Sequence, residues 1–370
     1  MSYGIYIHIP WCKRICPYCS FTVYRDKSPP FKDWLQKIEE DWAWNKTYLS
    51  GLPHSIYLGG GTPSLLPINI LEDLIALLPK SNKTEITVEI NPGDLTADLL
   101  ASYIDLGITR LSLGIQTFQH QHARLLNRAH TVHEAEELVS MVAQSSIQSW
   151  SFDLIFGLPK QTLEDLNADL NAIKRLLPPH VSLYGLTYEP HTPLRKALER
   201  GQIKAIEEDL WIQQFDLITN TLAHLGYERY EVSNFALPGH RSIHNEHVWR
   251  GLPYCGLGPS AHGLLPNGWR TVQPKDLNTW FSSTKPSVEK PSKKQKFIDT
   301  VITQIRHIDG LSLKDLEHLG FKIQSKELLP FKLGWLTQEN EHLKLQGDGW
   351  RMADTITLRL LDAFEQHRPH

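Results

Sequence analysis

Short runs rich in β-branched and aromatic residues alternate along the chain with longer stretches whose apolar positions recur at helical spacing. Residues 5–9 (Ile5-Tyr6-Ile7-His8-Ile9) read as a strand, and 31–48 as a helix carrying Leu35, Ile38 and Trp42. A second strand at 55–58 is stopped by Gly59-Gly60-Gly61, and 70–78 are helical. The alternation continues with strands at 85–90, 110–115, 151–156 and 181–186, and helices at 96–106, 132–142 and about 163–177. This order predicts an α/β fold of parallel strands joined by crossover helices. Six such units do not close an eightfold barrel, so an open, partial (β/α)6 barrel is expected. After a helix around 210–225, residues 227–232 are expected to add an antiparallel strand.

The pattern changes from about Val272. Thr284-Lys285-Pro286-Ser287 through Pro291-Ser292-Lys293-Lys294 is polar and proline-containing, and reads as a linker. The chain then divides into a core of residues 1–271, a linker of 272–295 and an accessory unit of 296–370. Phe331-Lys332-Leu333-Gly334-Trp335-Leu336, followed by Leu343-Lys344-Leu345 and Trp350-Arg351-Met352, resembles a helix and a β-wing. This last unit is therefore expected to be mainly α and winged-helix-like. It lacks a basic recognition helix, so a packing or lid role is expected instead of DNA binding.

Hydrophobic residues make up 41% of the chain and charged residues 21%, which excludes wholesale disorder. The net charge of −3 argues against a strongly basic nucleic-acid binder. No apolar run approaches the roughly 18 residues of a membrane helix. Met1-Ser2-Tyr3-Gly4-Ile5 lacks the basic-then-apolar order of a signal peptide. The cytoplasm is the expected compartment, and peripheral membrane contact stays open.

Three of the four cysteines, Cys12, Cys16 and Cys19, lie within eight residues directly after the first strand. In a reducing compartment clustered thiols point to a metal rather than to disulfides. Iron–sulfur clusters are held by cysteine thiolates, normally four for a [4Fe–4S] cube. Three on one loop leave one iron open, as a reactive site requires. Zinc is the competing metal, with His8 and Cys255 as candidate fourth ligands.

Other polar residues fall at the carboxyl ends of strands, where α/β folds bind ligands. Gly60-Gly61-Thr62 follow the second strand, where glycines let the backbone approach a ligand closely. Glu89 ends the third, Gln116 ends the fourth and Asp153 lies in the fifth. A carboxylate inside an apolar strand is costly unless paired or ligand-bound. Arg128 could pair with these groups or with a ligand carboxylate.

The cysteine spacing after Tyr6-Ile7-His8-Ile9-Pro10-Trp11 resembles that of the radical S-adenosylmethionine (radical SAM) superfamily. Over residues 3 to about 263 the segments resemble the branch that holds oxygen-independent coproporphyrinogen III oxidase, HemN, and the haem chaperone HemW. The resemblance implies a [4Fe–4S] cluster on Cys12, Cys16 and Cys19, whose open iron chelates SAM. It implies SAM contacts at Tyr6, Gly60, Gly61, Thr62, Glu89, Gln116, Arg128 and Asp153. Two departures point away from the oxidase: Phe21 stands where its motif has a further cysteine, and its N-terminal extension has no counterpart before Cys12. The chaperone motif His-Asn-x-x-Tyr-Trp appears here as His244-Asn245-Glu246-His247-Val248-Trp249, with Val248 at the tyrosine position. Haem contact is therefore expected at His244 or His247. The resemblance implies transfer of haem to apo-haemoproteins, and an electron donor if SAM is cleaved. The oxidase, or a radical SAM enzyme with another substrate, is the alternative.

Overall fold

The computed structural model describes residues 2–321 and 334–365. Six strands pair in parallel in chain order: β1 (Gly4–Ile9), β2 (Ser55–Gly60), β3 (Glu85–Ile90), β4 (Arg110–Gln116), β5 (Ser149–Phe156) and β6 (His180–Gly185). Between them run α1 (Phe31–Asn45), α2 (Ile68–Leu77), α3 (Ala97–Asp105), α4 (His120–Leu125), α5 (Val132–Ala143) and α6 (Leu163–Leu176). Side-chain caps start several of these helices. Thr96 accepts from the Leu99 N–H, while Thr131 and Thr162 each form a capping box with the acid three residues on.

The strands alternate strictly in character. Ile5, Ile7 and Ile9 of β1, and Ile56 and Leu58 of β2, are fully buried on the apolar face. The opposite face carries Gly4, Tyr6 and His8 on β1, Glu85, Thr87 and Glu89 on β3, and Ser151 and Asp153 on β5. A closed eightfold barrel fills its interior with branched apolar side chains. Here the inner face is polar, and it encloses cavities.

Past β6 come α7 (Pro193–Glu199), α8 (Glu208–His224), β7 (Glu228–Arg229), β8 (Asn234–Ala236), α9 (Ile243–Trp249), β9 (Tyr254–Leu257), β10 (His262–Leu264) and β11 (Arg270–Val272). The expected antiparallel strand at 227–232 is divided. Glu231 accepts the Ser233 N–H at 3.0 Å and turns the chain, so β8 rather than β7 pairs with β6. A seventh parallel strand, β9, lies along β1 on the side away from β2. Four residues, one of them glycine, gave no periodic signal for it.

The stretch 272–295, predicted as a linker, is folded onto the core. It holds α10 (Leu277–Ser282) and β12 (Ser287–Glu289), which pairs with β11. The reason is Trp280, wholly buried, whose indole N–H donates to Asp41 Oδ2 at 2.9 Å. The same oxygen accepts from the Gly258 N–H at 3.1 Å.

The accessory unit contains α11 (Lys293–Gln304), β13 (Leu311–Ser312), α12 (Leu313–His318), β14 (Leu336–Glu339), β15 (His342–Leu345) and α13 (Ala353–Glu365). Its own core is built on Phe297, Val301, Ile305, Leu316, Leu343 and Ile356. The β14–β15 hairpin turns through Asn340 and Glu341, both with positive φ, which matches the expected wing. Phe331, Lys332 and Leu333 lie outside the described residues. Arg229 ties this unit to the barrel, 4.7 Å from the rings of Phe215 and Phe235 and 5.3 Å from Trp350. Among the described residues no helix is long and apolar enough to cross a membrane.

Candidate functional site

The loop leaving β1 is anchored before it reaches the cysteines. Trp11 is buried edge-on against Phe31 and Trp34. The Cys12 N–H donates to the Tyr24 carbonyl at 3.0 Å, and the Cys19 N–H to that of Cys16 at 3.1 Å. Cys12, Cys16 and Cys19 are free, half-buried thiols on one cavity of about 460 Å³. Gly60, Gly61, Thr62, Glu89, Gln116, Arg128 and Asp153 line the same cavity. The structure thus brings these sequence-predicted residues to one place.

Backbone geometry explains the glycines. Gly60 has φ +107°, and a Cβ there would stand 2.4 Å from His8 Nδ1. A Cβ on Gly61 would lie 2.6 Å from the Trp11 carbonyl oxygen, a backbone atom that can give way only if the loop moves with it. Gln116 has φ +70° where β4 slips register against β5, which turns its side chain to the cavity.

Glu89 accepts from the Tyr57 hydroxyl at 2.8 Å and from the Gly60 N–H at 3.1 Å. Burial, and then the charge of Asp153, push its carboxyl up to about 7. Burial likewise pushes Asp153 up to about 6, although Ser112 donates to it at 2.9 Å. The charges of Arg110 and Arg128 only partly offset burial at Asp153, so the two acids offer a buried site to a cationic ligand. Arg128 donates to the Gly114 carbonyl at 2.6 Å, to Asn91 Oδ1, and to Cys16 Sγ at 3.4 Å. Among the described residues no carboxylate forms a salt bridge with it, and its Nε has no partner.

These residues fit the two groups expected. Burial raises Cys12 to about 11 and pushes Cys19 up as well, and neighbouring thiols add to both. Three crowded thiolates gain from the positive charge that an iron–sulfur cube supplies. Among the described residues no three His, Cys, Asp or Glu side chains converge on a single ion. Neither proposed fourth ligand joins the cysteines. Cys255 is buried in the outer core, and His8 is held by the Tyr6 hydroxyl at 3.2 Å and the Thr22 carbonyl at 2.8 Å. The Glu89–Asp153 pair suits an ammonium, and Arg128, which has no carboxylate salt bridge among the described residues, suits a carboxylate, the two ends of an amino acid.

A second cavity of about 600 Å³ lies beside the first, sharing Ser20, Phe21, Tyr57, Gly60, Glu89 and Tyr184 as a common wall. Tyr6, expected at the SAM contacts, lines this second cavity instead. So does His244, whose Nδ1 is 2.9 Å from Ser55 Oγ. With Nδ1 committed to the serine, Nε2 is the ring nitrogen left for a ligand. Burial, and then His247 and His54, hold His244 down to about 3, so the ring is neutral. His247 is absent from this wall. Its ring lies against that of His54, centroids 3.7 Å apart and tilted by 39°, and its Nε2 bonds the Pro253 carbonyl at 2.7 Å. Val248 and Trp249 line the cavity in its place.

Sequence reading missed Tyr57, Tyr184 and Ser112, all of which face these cavities. Their signal is the polar phase of each alternating strand, which strand-end position alone does not show.

A sequence model of the Radical SAM superfamily matches residues 6–173. The heme chaperone HemW of Escherichia coli K12 is 37% identical over 273 residues, covering 72% of this chain and 71% of that protein. HemW of Lactococcus lactis is 30% identical over 371 residues and covers 96% of both. The solved structure of E. coli coproporphyrinogen III oxidase, HemN, superposes with a TM-score of 0.81 at 20% identity, over 98% of this chain and 90% of that one. The last likeness establishes the partial-barrel fold with its C-terminal unit. Taken with the cysteine loop and its polar cavity, the sequence matches place the chain in the HemW family of the radical SAM superfamily.

Proposed function

We propose that this chain is a haem carrier: it holds a [4Fe–4S] cluster and SAM in the first cavity, binds haem in the second and passes it to apo-haemoproteins. The observation that carries this reading is the neutral, buried His244, which offers one imidazole nitrogen to a cavity that adjoins the cluster residues. An iron axial ligand needs that protonation state, and Ser55 orients the ring as second-sphere partners do. The names of the HemW relatives agree with haem as cargo.

Cys12, Cys16 and Cys19 would hold the cluster, while Glu89, Asp153, Gln116 and Arg128 with the Gly60–Thr62 backbone would hold SAM. Bound there, the cluster supplies one-electron chemistry to SAM. This chain's residues orient the sulfonium ligand, bury its charges and keep water from the thiolates. Tyr6 would meet the cargo rather than SAM, since it lines the second cavity.

Two measurements on the anaerobically reconstituted chain test the reading. Mixed with an apo-haemoprotein, the haem-loaded chain should lose its Soret band to the acceptor faster than it loses haem to a passive scavenger. Equal rates would refute the carrier role. With SAM, a reductant and coproporphyrinogen III, no protoporphyrinogen IX should form. Repeated turnover would install the oxidase reading instead.

A further inference from the structure

The wall of the second cavity carries two basic side chains that take no part in holding the cluster, SAM or the metal. Lys275 and His262 line it on the β10–β11 edge. The Lys275 ammonium has no ion pair or hydrogen bond among the described residues. A third cation nearby, Arg270, is already matched, by Asp299 at 3.1 Å and Glu289 at 2.7 Å. Burial, and then the charges of Lys275 and Arg270, hold the His262 imidazole below its ordinary range. Positive potential on this rim is therefore unbalanced.

The rim is also fixed in place. The Lys275 carbonyl accepts from the Tyr24 hydroxyl at 3.0 Å, and that oxygen accepts the Leu277 N–H at 3.1 Å. Backbone bonds of 2.9 Å join Ser260 to Pro274 and Gln273 to Ala261. These bonds fix the backbone from which the exposed Lys275 side chain reaches over the rim.

The acids of the cavity lie elsewhere, Glu89 on β3 and Glu231 at the corner between β7 and β8. An anionic group is repelled from those walls and drawn to the Lys275 edge. The basic pair and His244 also stand at different heights. His244 lies against Gly4, whereas the His262 backbone packs on Gly256, which pairs with Tyr6. Two residues of strand separate those levels, about 7 Å at 3.3 Å per residue. One occupant touching both must carry its anionic groups well away from the atom that meets His244.

We propose that Lys275, with His262 beside it, anchors the peripheral carboxylates of a metallated macrocycle whose metal meets His244. This rests on the haem-carrier reading and adds to it the group that sets the macrocycle's orientation. A dicarboxylate macrocycle is then preferred over its ester, and the charged edge faces β10 and β11.

The test is titration of the full chain with haem and with haem dimethyl ester, followed by Soret absorbance. Lys275→Ala should weaken haem binding roughly tenfold, the size expected for one charge-assisted contact. Lys275→Arg should restore most of it. The ester should bind the wild type about as weakly as Lys275→Ala binds haem, and should be indifferent to the substitution. Added salt should weaken haem binding and leave ester binding unchanged. Lys275 is exposed, and an unchanged melting temperature will show that the variant is folded. If Lys275→Ala binds haem as the wild type does while His244→Ala loses it, the anchor is wrong and the cavity stands. If neither variant changes binding, the cavity reading and the anchor both fall.

Discussion

The Tyr57 hydroxyl donates to Glu89 Oε1 at 2.8 Å, and this pair stands in the wall that the two cavities share. The bond favours the carboxylate over the acid and so opposes burial and Asp153, which raise Glu89 to about 7. Tyr57→Phe removes that help. The pH above which SAM binds should then rise by about one unit, the equivalent of one buried hydrogen bond. Calorimetric SAM titrations between pH 6 and 9 measure it. An unmoved profile would mean that Glu89 does not meet the cationic end of SAM.

The same carboxyl sets a pH dependence of stability. Its folded value of about 7 exceeds the ordinary 4.5, so the folded state binds the extra proton between those limits. Stability conferred by the protonated group is complete at low pH and is lost as pH rises through 7. Glu89→Gln abolishes the loss. In urea unfolding of the metal-free chain, the variant should match wild type near pH 4 and exceed it by on the order of 3 kcal/mol at pH 8. Equal stabilities at pH 8 would refute the raised value.

Gly61→Ala tests the cradle. The new Cβ meets the Trp11 and Ile9 carbonyl oxygens at 2.6 and 2.8 Å, so the cysteine loop must shift. Iron bound per chain after reconstitution should fall several-fold, with far-ultraviolet circular dichroism retained. Full iron loading would show that the loop tolerates displacement.

Arg229→Ala tests how the accessory unit is held. The guanidinium lies over Phe215 and Phe235 and against Trp350, and burial lowers it to about 10. Its removal leaves a gap among three rings and should cost about 2 kcal/mol. Limited proteolysis should then cut more readily between the barrel and α11. An unchanged cleavage rate would place the join elsewhere, such as the pair of Arg351 with Asp216.

The barrel was legible because its units announce themselves twice, as an apolar run and as an amphipathic stretch, capped in α3, α5 and α6. Strand β3 runs from Glu85 to Ile90, the limits its pattern predicts. Strand β9 is four residues long and gains its stability from pairing with β1, a tertiary fact with no local signature. Polar composition suggested a linker over 272–295, yet Trp280 within it is wholly buried on Asp41. At the site, motif position located the cysteines and the strand-end acids. It could not separate His244 from His247, because only the turn of α9 decides which side chain faces the cavity.

The most direct measurement is haem titration of the wild type, His244→Ala and His247→Ala, with the Soret maximum as readout. The account predicts tight one-to-one binding by the wild type, a loss of at least tenfold with a shifted Soret band in His244→Ala, and near-wild-type binding in His247→Ala. Binding that survives His244→Ala and fails in His247→Ala would contradict it, and would move haem out of the cavity beside the cluster.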